Sequence, residues 1–156
     1  MKKQQSGFTL VELIMVITVL GILAAFALPR FADFGGQARQ ASLEGALGAV
    51  KSASSIVRSA ALAGNVTGTT ATPATVTLEG TAINVVFGYP QGSAQGIQRA
   101  AQLDGTADYT LDFATTAGSM IVTLGTCSFT YAEPAAANTA PTISQINDTD
   151  TTTPGC

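Results

Sequence analysis

A single carboxylate, Glu12, lies inside an apolar run that otherwise continues to Leu28. A charged side chain costs a membrane-spanning helix about 2.5 to 3.5 kcal/mol at its centre, so such a residue usually has a partner and a function. Cleavage between Gly7 and Phe8 would create a positively charged amine about 6 Å from Glu12, because four helical residues each rise about 1.5 Å. That amine, from the same chain or from a neighbouring copy, could neutralise the carboxylate.

Few other residues could take part in chemistry. The chain has no His, and its two cysteines are Cys127 and Cys156. Without His or a convergent set of Ser, Cys and carboxylate side chains, acid–base and nucleophilic catalysis have no candidate residue. A structural zinc site wants four ligands, and His and Cys together supply two. The sequence therefore predicts a protein that is not an enzyme, with no cofactor and no metal site.

Three aspartates, Asp104, Asp108 and Asp112, recur every four residues and could suggest a calcium site. The Asp-x-Asp-x-Asp-Gly order of a calcium-binding loop is missing, and strand alternation after Asp108 would send these side chains in different directions. Solvated carboxylates are the simpler interpretation. Asn65 and Asn147 each begin an Asn-x-Thr glycosylation sequon, a frequent chance match in a chain rich in Thr.

The N-terminus carries a specific motif. Lys2-Lys3-Gln4-Gln5-Ser6-Gly7 followed by Phe8-Thr9-Leu10-Val11-Glu12-Leu13 resembles the signature of type IV pilins and related pseudopilins. The resemblance implies a basic leader cut after Gly7 by a membrane-embedded prepilin peptidase, N-methylation of Phe8, and a Glu12 that guides copies of the chain into a helical filament. It also implies a precursor in the bacterial inner membrane, an assembly machinery there, and a mature pilus on the cell surface.

Two other interpretations of this segment are open. A secretory signal peptide would use the basic start, the apolar stretch Leu13 to Leu23 and a cut after Ala25-Phe26-Ala27. Glu12 within that stretch and Pro29 just behind the cut both disfavour it. A simple membrane anchor is the second alternative, since residues 8–28 have the roughly 20 apolar residues that a span requires. Neither alternative explains Glu12.

The charge balance fits an exported protein. Removing the leader takes two lysines, so 7 minus 2 leaves 5 basic side chains against 10 acidic ones. Such an acidic chain lacks the basic patch that phosphate neutralisation needs, which disfavours nucleic-acid binding by the subunit alone. An even number of cysteines in an exported chain indicates a Cys127–Cys156 disulfide, and two unpaired thiols are the alternative.

The hydrophobic pattern predicts an α+β fold in which a long N-terminal helix packs on a small antiparallel β-sheet head. After the leader, residues 1–7, an apolar helix of residues 8–30 would lie in the membrane or the filament core. Residues 31–63 continue it amphipathically, with apolar positions at Leu43, Leu47, Val50 and Val57. Gly64-Asn65 would end the helix. Gly21 and Pro29 mark a weak point, because Gly has low helix propensity and Pro removes a donor.

Residues 64–156 form the predicted head, with the disulfide in its C-terminal loop. Period-two alternation predicts a hairpin around Glu79-Gly80, a strand near Leu111 and a final hairpin of two strands. Gly88-Tyr89-Pro90 is expected to end the second strand, and Ser93 to cap a short helix that reaches about Leu103. The tail from Ala132 is rich in Pro and Thr, so we expect it to be irregular and held only by the disulfide.

A second resemblance concerns the head. The blocks that carry it resemble pilins of the mannose-sensitive haemagglutinin type: Val86-Phe87-Gly88-Tyr89-Pro90, Gly96-Ile97, Leu103-Asp104-Gly105, Cys127-Ser128-Phe129-Thr130-Tyr131 and Gly155-Cys156. This resemblance implies a structural pilus subunit whose surface filament is used for attachment, to a receptor that the sequence does not identify. The alternative is a pseudopilin of a type II secretion system, a short periplasmic piston.

Overall fold

The structure, a computed structural model, describes residues 9–105, 109–148 and 156. A helix, α1, runs from Leu10 to Ala63. The chain divides into two compact units, Met1–Gly35 and Gly36–Cys156, so α1 contributes to both. The predicted α+β class is confirmed, since the rest of the described chain is dominated by antiparallel strands.

The part of α1 in the second unit buries one stripe. Leu43, Val50 and Val57 are fully buried at spacings of seven, and Ala46 and Ala53 lie beside them. These are positions that the helical period of the sequence predicts, because residues three, four and seven apart share one face of a helix. The opposite side of this segment is exposed.

The end of α1 also follows the prediction. Asn65 adopts a left-handed φ of 51°, the amide of Val66 donates to the Ala61 carbonyl at 2.8 Å, and the amide of Asn65 donates to Leu62 at 3.2 Å. These two bonds form a Schellman motif, which satisfies carbonyls that the helix end would otherwise leave unpaired. The chain therefore turns away after Ala63 at low cost.

A three-stranded antiparallel sheet follows. It contains β1 (Ala74–Leu78), β2 (Thr81–Val86) and β3 (Tyr89–Pro90) in chain order. Both connections are two-residue turns with positive φ, 49° and 79° at Glu79-Gly80 and 50° and 78° at Phe87-Gly88. Such turns match the twist of a hairpin. The expectation that Gly88-Tyr89-Pro90 only ends a strand is therefore incomplete, because Tyr89 and Pro90 turn back and pair with β2.

The link to the next sheet is a short irregular helical segment. Ser93 caps it as predicted, since its hydroxyl oxygen accepts from the Gly96 amide at 3.1 Å. A π-helical turn, Ala94–Gln98, leads into α2, Arg99–Ala101. The expected single regular helix is therefore replaced by two pieces. Gly96 breaks the regular geometry, with φ −101° and ψ −106°.

A second, five-stranded antiparallel sheet completes the head. Its strands are β4 (Thr110–Asp112), β5 (Ser119–Leu124), β6 (Cys127–Ala132), β7 (Thr142–Ile143) and β8 (Asn147–Asp148). The predicted final hairpin is present as β5 and β6, and β7 and β8 both pair with β6. The prediction of an irregular tail was wrong for these two strands. Strands of two residues carry no period that a sequence pattern can reveal.

Two apolar clusters join these sheets to α1. Leu43 and Val50 of the helix pack with Met120, Phe129 and Tyr131 of the five-stranded sheet. Nearer its C-terminus, Val57 and Ala61 pack with the three-stranded sheet through the set Val76, Ile83 and Val85. The helix is therefore the common support of the two sheets, and each sheet covers a different part of its buried stripe.

Candidate functional site

The first turn of α1 holds Glu12 in a reciprocal set of hydrogen bonds. The Thr9 hydroxyl oxygen accepts from the Glu12 amide at 3.2 Å, and Glu12 Oε2 accepts from the Thr9 amide at 2.9 Å. The Thr9 hydroxyl also lies 2.8 Å from the same Oε2 and donates to it. Thr9 is thus the N-cap of α1 and Glu12 is the third helical residue, which is the arrangement called a capping box.

The capping box is a structural feature of the candidate site that the sequence interpretation missed. The signal was present as Thr9-Leu10-Val11-Glu12, a Thr-x-x-Glu pattern directly before an apolar run. It gives the carboxylate two hydrogen-bond donors from its own chain. It does not neutralise the charge, because no cation among the residues that the structure describes forms a salt bridge with Glu12.

The roles of the predicted processing residues and of the predicted weak point in α1 stay predictions. Gly7 and Phe8 lie outside the described residues, so cleavage between them and methylation of Phe8 stay predictions. Gly21 and Pro29 both fall within the helical range Leu10–Ala63. A Cβ placed on Gly21 would meet nothing within 4 Å. The predicted weakness concerns copies packed together in a filament, and it also stays a prediction.

The apolar segment of α1 exposes its whole circumference. The large hydrophobic side chains from Leu10 to Leu28 are between 49% and 76% exposed. This stretch of 19 residues has a mean hydropathy of 2.6 and is long and apolar enough to cross a membrane. That criterion rests on length and composition, and a signal sequence near the N-terminus also meets it. A helix that is apolar all round is one that a membrane or other helices normally cover.

The predicted disulfide is present. Cys127 and Cys156 are bonded, with their Cα atoms 5.6 Å apart and 29 positions apart in sequence. Cys127 is fully buried at the start of β6, whereas Cys156 is exposed. The Cys156 amide donates to Asp148 Oδ2 at 3.3 Å, next to where β8 pairs with β6. The disulfide therefore fastens Cys156 to the start of β6, beside the pairing of β6 with β8.

Polar side chains hold the loops of the head in ways that the sequence did not reveal. Arg58 donates from Nη1 to the Phe87 carbonyl at 2.9 Å, and its guanidinium lies 4.7 Å from the centre of the Tyr89 ring. Tyr131 donates its buried hydroxyl to the Pro90 carbonyl at 2.7 Å. Burial raises the pKa of the Tyr131 hydroxyl well above its ordinary value. Both contacts fix the short strand β3 against the rest of the head.

The three aspartates do not form one site in the described part of the chain. Asp112 Oδ1 accepts from the Ala114 amide at 2.7 Å, and its other oxygen accepts from the Thr115 hydroxyl. Those two bonds, the Thr115 bond first, lower the pKa of Asp112. Asp104 is exposed, and Asp108 lies outside the described residues. Within residues 9–105, 109–148 and 156, no three His, Cys, Asp or Glu side chains converge as metal ligands.

Known proteins share the N-terminal feature. Residues 2–28 match the family described as the prokaryotic N-terminal methylation motif. The chain is 52% identical over 50 residues to the type IV narrow pilus major component PilA5 of Thermus thermophilus, a match that covers 32% of this chain and 43% of that protein.

Two further pilus or fimbrial proteins also match a short part of the chain. The type IV major alpha-pilin of Moraxella bovis is 47% identical over 49 residues, which is 31% of either chain. The type IV major fimbrial protein FimA of Dichelobacter nodosus is 56% identical over 34 residues, or 22% of this chain and 21% of that protein. The chain therefore spans less than half the length of these curated relatives. No solved structure matches it.

Proposed function

We propose that this chain is a structural subunit of a type IV pilus, which assembles through its N-terminal helix into a surface filament used for attachment. The observation that carries the proposal is the combination at the N-terminus. The matched methylation motif, residues 2–28, includes the segment of α1 that is apolar all round, with one carboxylate held in its first turn. Exposed apolar surface of this extent needs cover, first from the membrane and then from copies of the same helix.

The assembly step in this proposal uses Glu12. After cleavage between Gly7 and Phe8, the Phe8 amine of another copy would pair with the Glu12 carboxylate. Thr9 hydrogen-bonds that carboxylate and leaves its charge in need of a cation. The attraction is stronger in an apolar surround than in water, and a copy placed out of register would leave one charge unpaired. The pair would therefore set the position of each incoming copy.

The organisation of the chain follows from this role. Residues 1–7 would be the leader that a prepilin peptidase removes, and residues 8–30 the segment held in the inner membrane before assembly. Residues 31–63 and 64–156 would present the head outside, where the amphipathic helix and the sheets cover each other. An inner-membrane assembly machinery and further copies of the chain are the partners in this scheme, and no enzymatic activity is part of it.

Two observations bear on the kind of filament. The relatives named above are described as major pilus or fimbrial proteins, which favours a pilus over the pseudopilin of a type II secretion system. Within the pilins, we assign the head to the mannose-sensitive haemagglutinin type on the sequence blocks that include Val86-Phe87-Gly88-Tyr89-Pro90. In the structure, that block forms the β2–β3 turn that Arg58 and Tyr131 hold.

Filaments sheared from cells test the proposed function. We expect electron microscopy to show thin filaments, and mass spectrometry of the same material to identify this chain as their principal component. Deleting its gene should remove the filaments, and restoring the gene should return them. Filaments that persist after deletion, or a chain found only in the membrane fraction, would contradict the proposal.

The Gly21 to Pro29 segment has a separate test. In a packed filament, we expect α1 to bend or to lose regular hydrogen bonds there, since Pro29 cannot donate to Ala25 and Gly21 favours helix weakly. A filament map at side-chain resolution shows this directly. A straight helix with every backbone bond intact from Gly21 to Pro29, apart from the missing proline donor, would show that the prediction is wrong.

A further inference from the structure

An open groove lies on the head beside α1. It has a volume of about 730 Å³ and lies between the β1–β2 hairpin, the π-helical turn with α2, and one side of α1. Its apolar lining includes Ile56, Ile83 and Leu103, and Ile56 is 58% exposed although Val57 beside it in the chain is fully buried. We call this surface the head groove.

The rim of the head groove carries unpaired charge. Glu79 and Asp104 line it, both are exposed, and neither forms a salt bridge with any residue in the described part of the chain. Arg99 also lines the groove, but it donates from Nη1 to the Ala82 carbonyl at 2.8 Å, which fixes it to β2. The groove therefore offers an apolar floor with two free carboxylates beside one anchored guanidinium.

A complementary surface lies on another side of the same helix. Lys51 is exposed and makes no salt bridge with the residues that the structure describes. It precedes Ile56 by five positions, which places the two side chains about 140° apart around a helix of 3.6 residues per turn. Ser52 and Ser55, both exposed and small, leave the backbone beside Lys51 open to close approach.

We propose that the head groove receives the Lys51 side of α1 from a second copy of this chain. Lys51 of one copy would pair with Glu79 and Asp104 of the next, while the small residues beside it would cover the exposed Ile56. The two surfaces differ and lie on different sides of one subunit, so the contact is heterologous and can repeat along an open assembly. That is the geometry that a filament needs, and the proposal rests on the proposed function given above.

Charge reversal tests this contact in the full chain. Glu79→Lys and Lys51→Glu should each lower the yield of sheared filaments by about fivefold, the factor expected for loss of an exposed ion pair. The double variant should give a higher yield than either single variant, since the exchanged charges at positions 51 and 79 attract again, while unchanged Asp104 repels the new carboxylate and keeps the yield below the parent's. Thr77→Lys, on the same hairpin but outside the head groove, is the matched control and should leave the yield unchanged.

The outcomes separate this proposal from the one on which it rests. Membrane level and an oxidised Cys127–Cys156 bond establish that each variant is made and folded. Single reversals that leave the yield at the parental value, or a double variant no better than either single one, would overturn the head-groove contact alone. A parent chain that builds no filaments would contradict the proposed function and this inference with it.

Cross-linking provides a second measurement that does not depend on yield. Thr81→Cys lies in the head groove and Ser55→Cys lies beside Lys51. Together, in one chain, they should give a ladder of disulfide-linked multimers when filaments are oxidised, because a heterologous contact repeats along the assembly. Each single variant and the control pair Thr72→Cys with Ser55→Cys should give no ladder. Absence of a ladder from the first pair in intact filaments would overturn the inference.

Discussion

The two parts of α1 differ in how much of their apolar side chains is exposed. From Leu10 to Leu28 the large hydrophobic side chains are about half to three-quarters exposed, whereas Leu43, Val50 and Val57 are fully buried. The later segment has two sheets of its own chain to cover it. The earlier segment has no such cover among the described residues. The head can therefore fold as a unit, while the apolar segment depends on its surroundings.

Their polar groups differ in the same way. The Glu12 carboxylate is hydrogen-bonded to Thr9, three positions away, whereas the Tyr131 hydroxyl is hydrogen-bonded to the Pro90 carbonyl, which is 41 positions away. Local bonds form in an isolated helix and leave its apolar surface available. Long-range bonds form only when the sheets assemble. Changes in the first region should therefore alter assembly, and changes in the second should alter folding.

The largest effect is expected from Glu12→Ala. It should abolish filaments or reduce them greatly, while the processed subunit remains in the membrane at its usual level, because an apolar residue favours insertion. The physical reason is the loss of attraction to the Phe8 amine of another copy. Filament yield from sheared cells, measured beside the amount of membrane subunit, checks this. Filaments as abundant as the parent's would show that Glu12 is satisfied within its own chain.

A matched pair separates the charge of Glu12 from its capping role. Gln also completes a capping box but carries no charge. Glu12→Gln should therefore assemble as poorly as Glu12→Ala if the charge matters for assembly. Thr9→Ser, which keeps the cap, should assemble like the parent. If the Glu12→Gln chain forms normal filaments, the capping box and not the charge of Glu12 is what assembly requires. That result would contradict the proposed pairing of Glu12 with the Phe8 amine of another copy.

The next effect concerns the head. Leu43→Ala should lower the free energy of unfolding by about 2 to 5 kcal/mol, since it deletes buried methyl groups and leaves a cavity. Ile56→Ala, on the same helix but 58% exposed, should change it by less than about 0.5 kcal/mol. Denaturant unfolding of the detergent-solubilised subunit measures both. Equal losses would mean that the head does not use the buried stripe as described.

A smaller effect is expected from opening the disulfide. Reduction of Cys127–Cys156 should cost about 2 to 4 kcal/mol, mainly because the unfolded chain gains freedom. Hydrogen exchange should rise most in β7 and β8, which have two residues each, and least in the β5–β6 hairpin. Alkylation of the denatured, unreduced protein that labels both cysteines would instead show that the bond does not form in the exported chain.

The smallest effect concerns Asp112. Its pKa is lowered below the ordinary 3.8 by the Thr115 and Ala114 bonds, so they stabilise the fold above that pH and lose this contribution as pH falls through the lowered pKa. Thr115→Val should move the pKa of Asp112 back towards 3.8, since the hydroxyl donor is gone. Carboxyl chemical shifts followed against pH measure this. An unchanged pKa would assign the shift to another cause.

The contrast between the regions explains what the sequence could predict. The stripe at Leu43, Val50 and Val57 was predictable because a helical period depends on neighbours within two turns. The exposed segment after Leu10 was equally clear from its composition. The capping box at Thr9 could also have been found, because its Thr-x-x-Glu pattern is local.

The head contains what sequence patterns could not supply. The strands β3, β7 and β8 have two residues each, too few for a period, and they exist because a longer strand is beside them. The contact between Arg58 and the Phe87 carbonyl links positions 29 apart. This contact depends on how the helix packs on the sheets, so no local sequence pattern predicts it. The head groove arises from the same long-range packing.

The mass of the subunit in sheared filaments tests the central claim most directly. We expect a mature chain that begins at Phe8, carries one added methyl group at that residue and contains an oxidised Cys127–Cys156 bond. Gly7→Arg is the matched control and should leave the unprocessed chain in the membrane, because a bulky charge replaces the smallest residue beside the cut. A surface chain that begins at Met1 or at Leu28 would contradict the account.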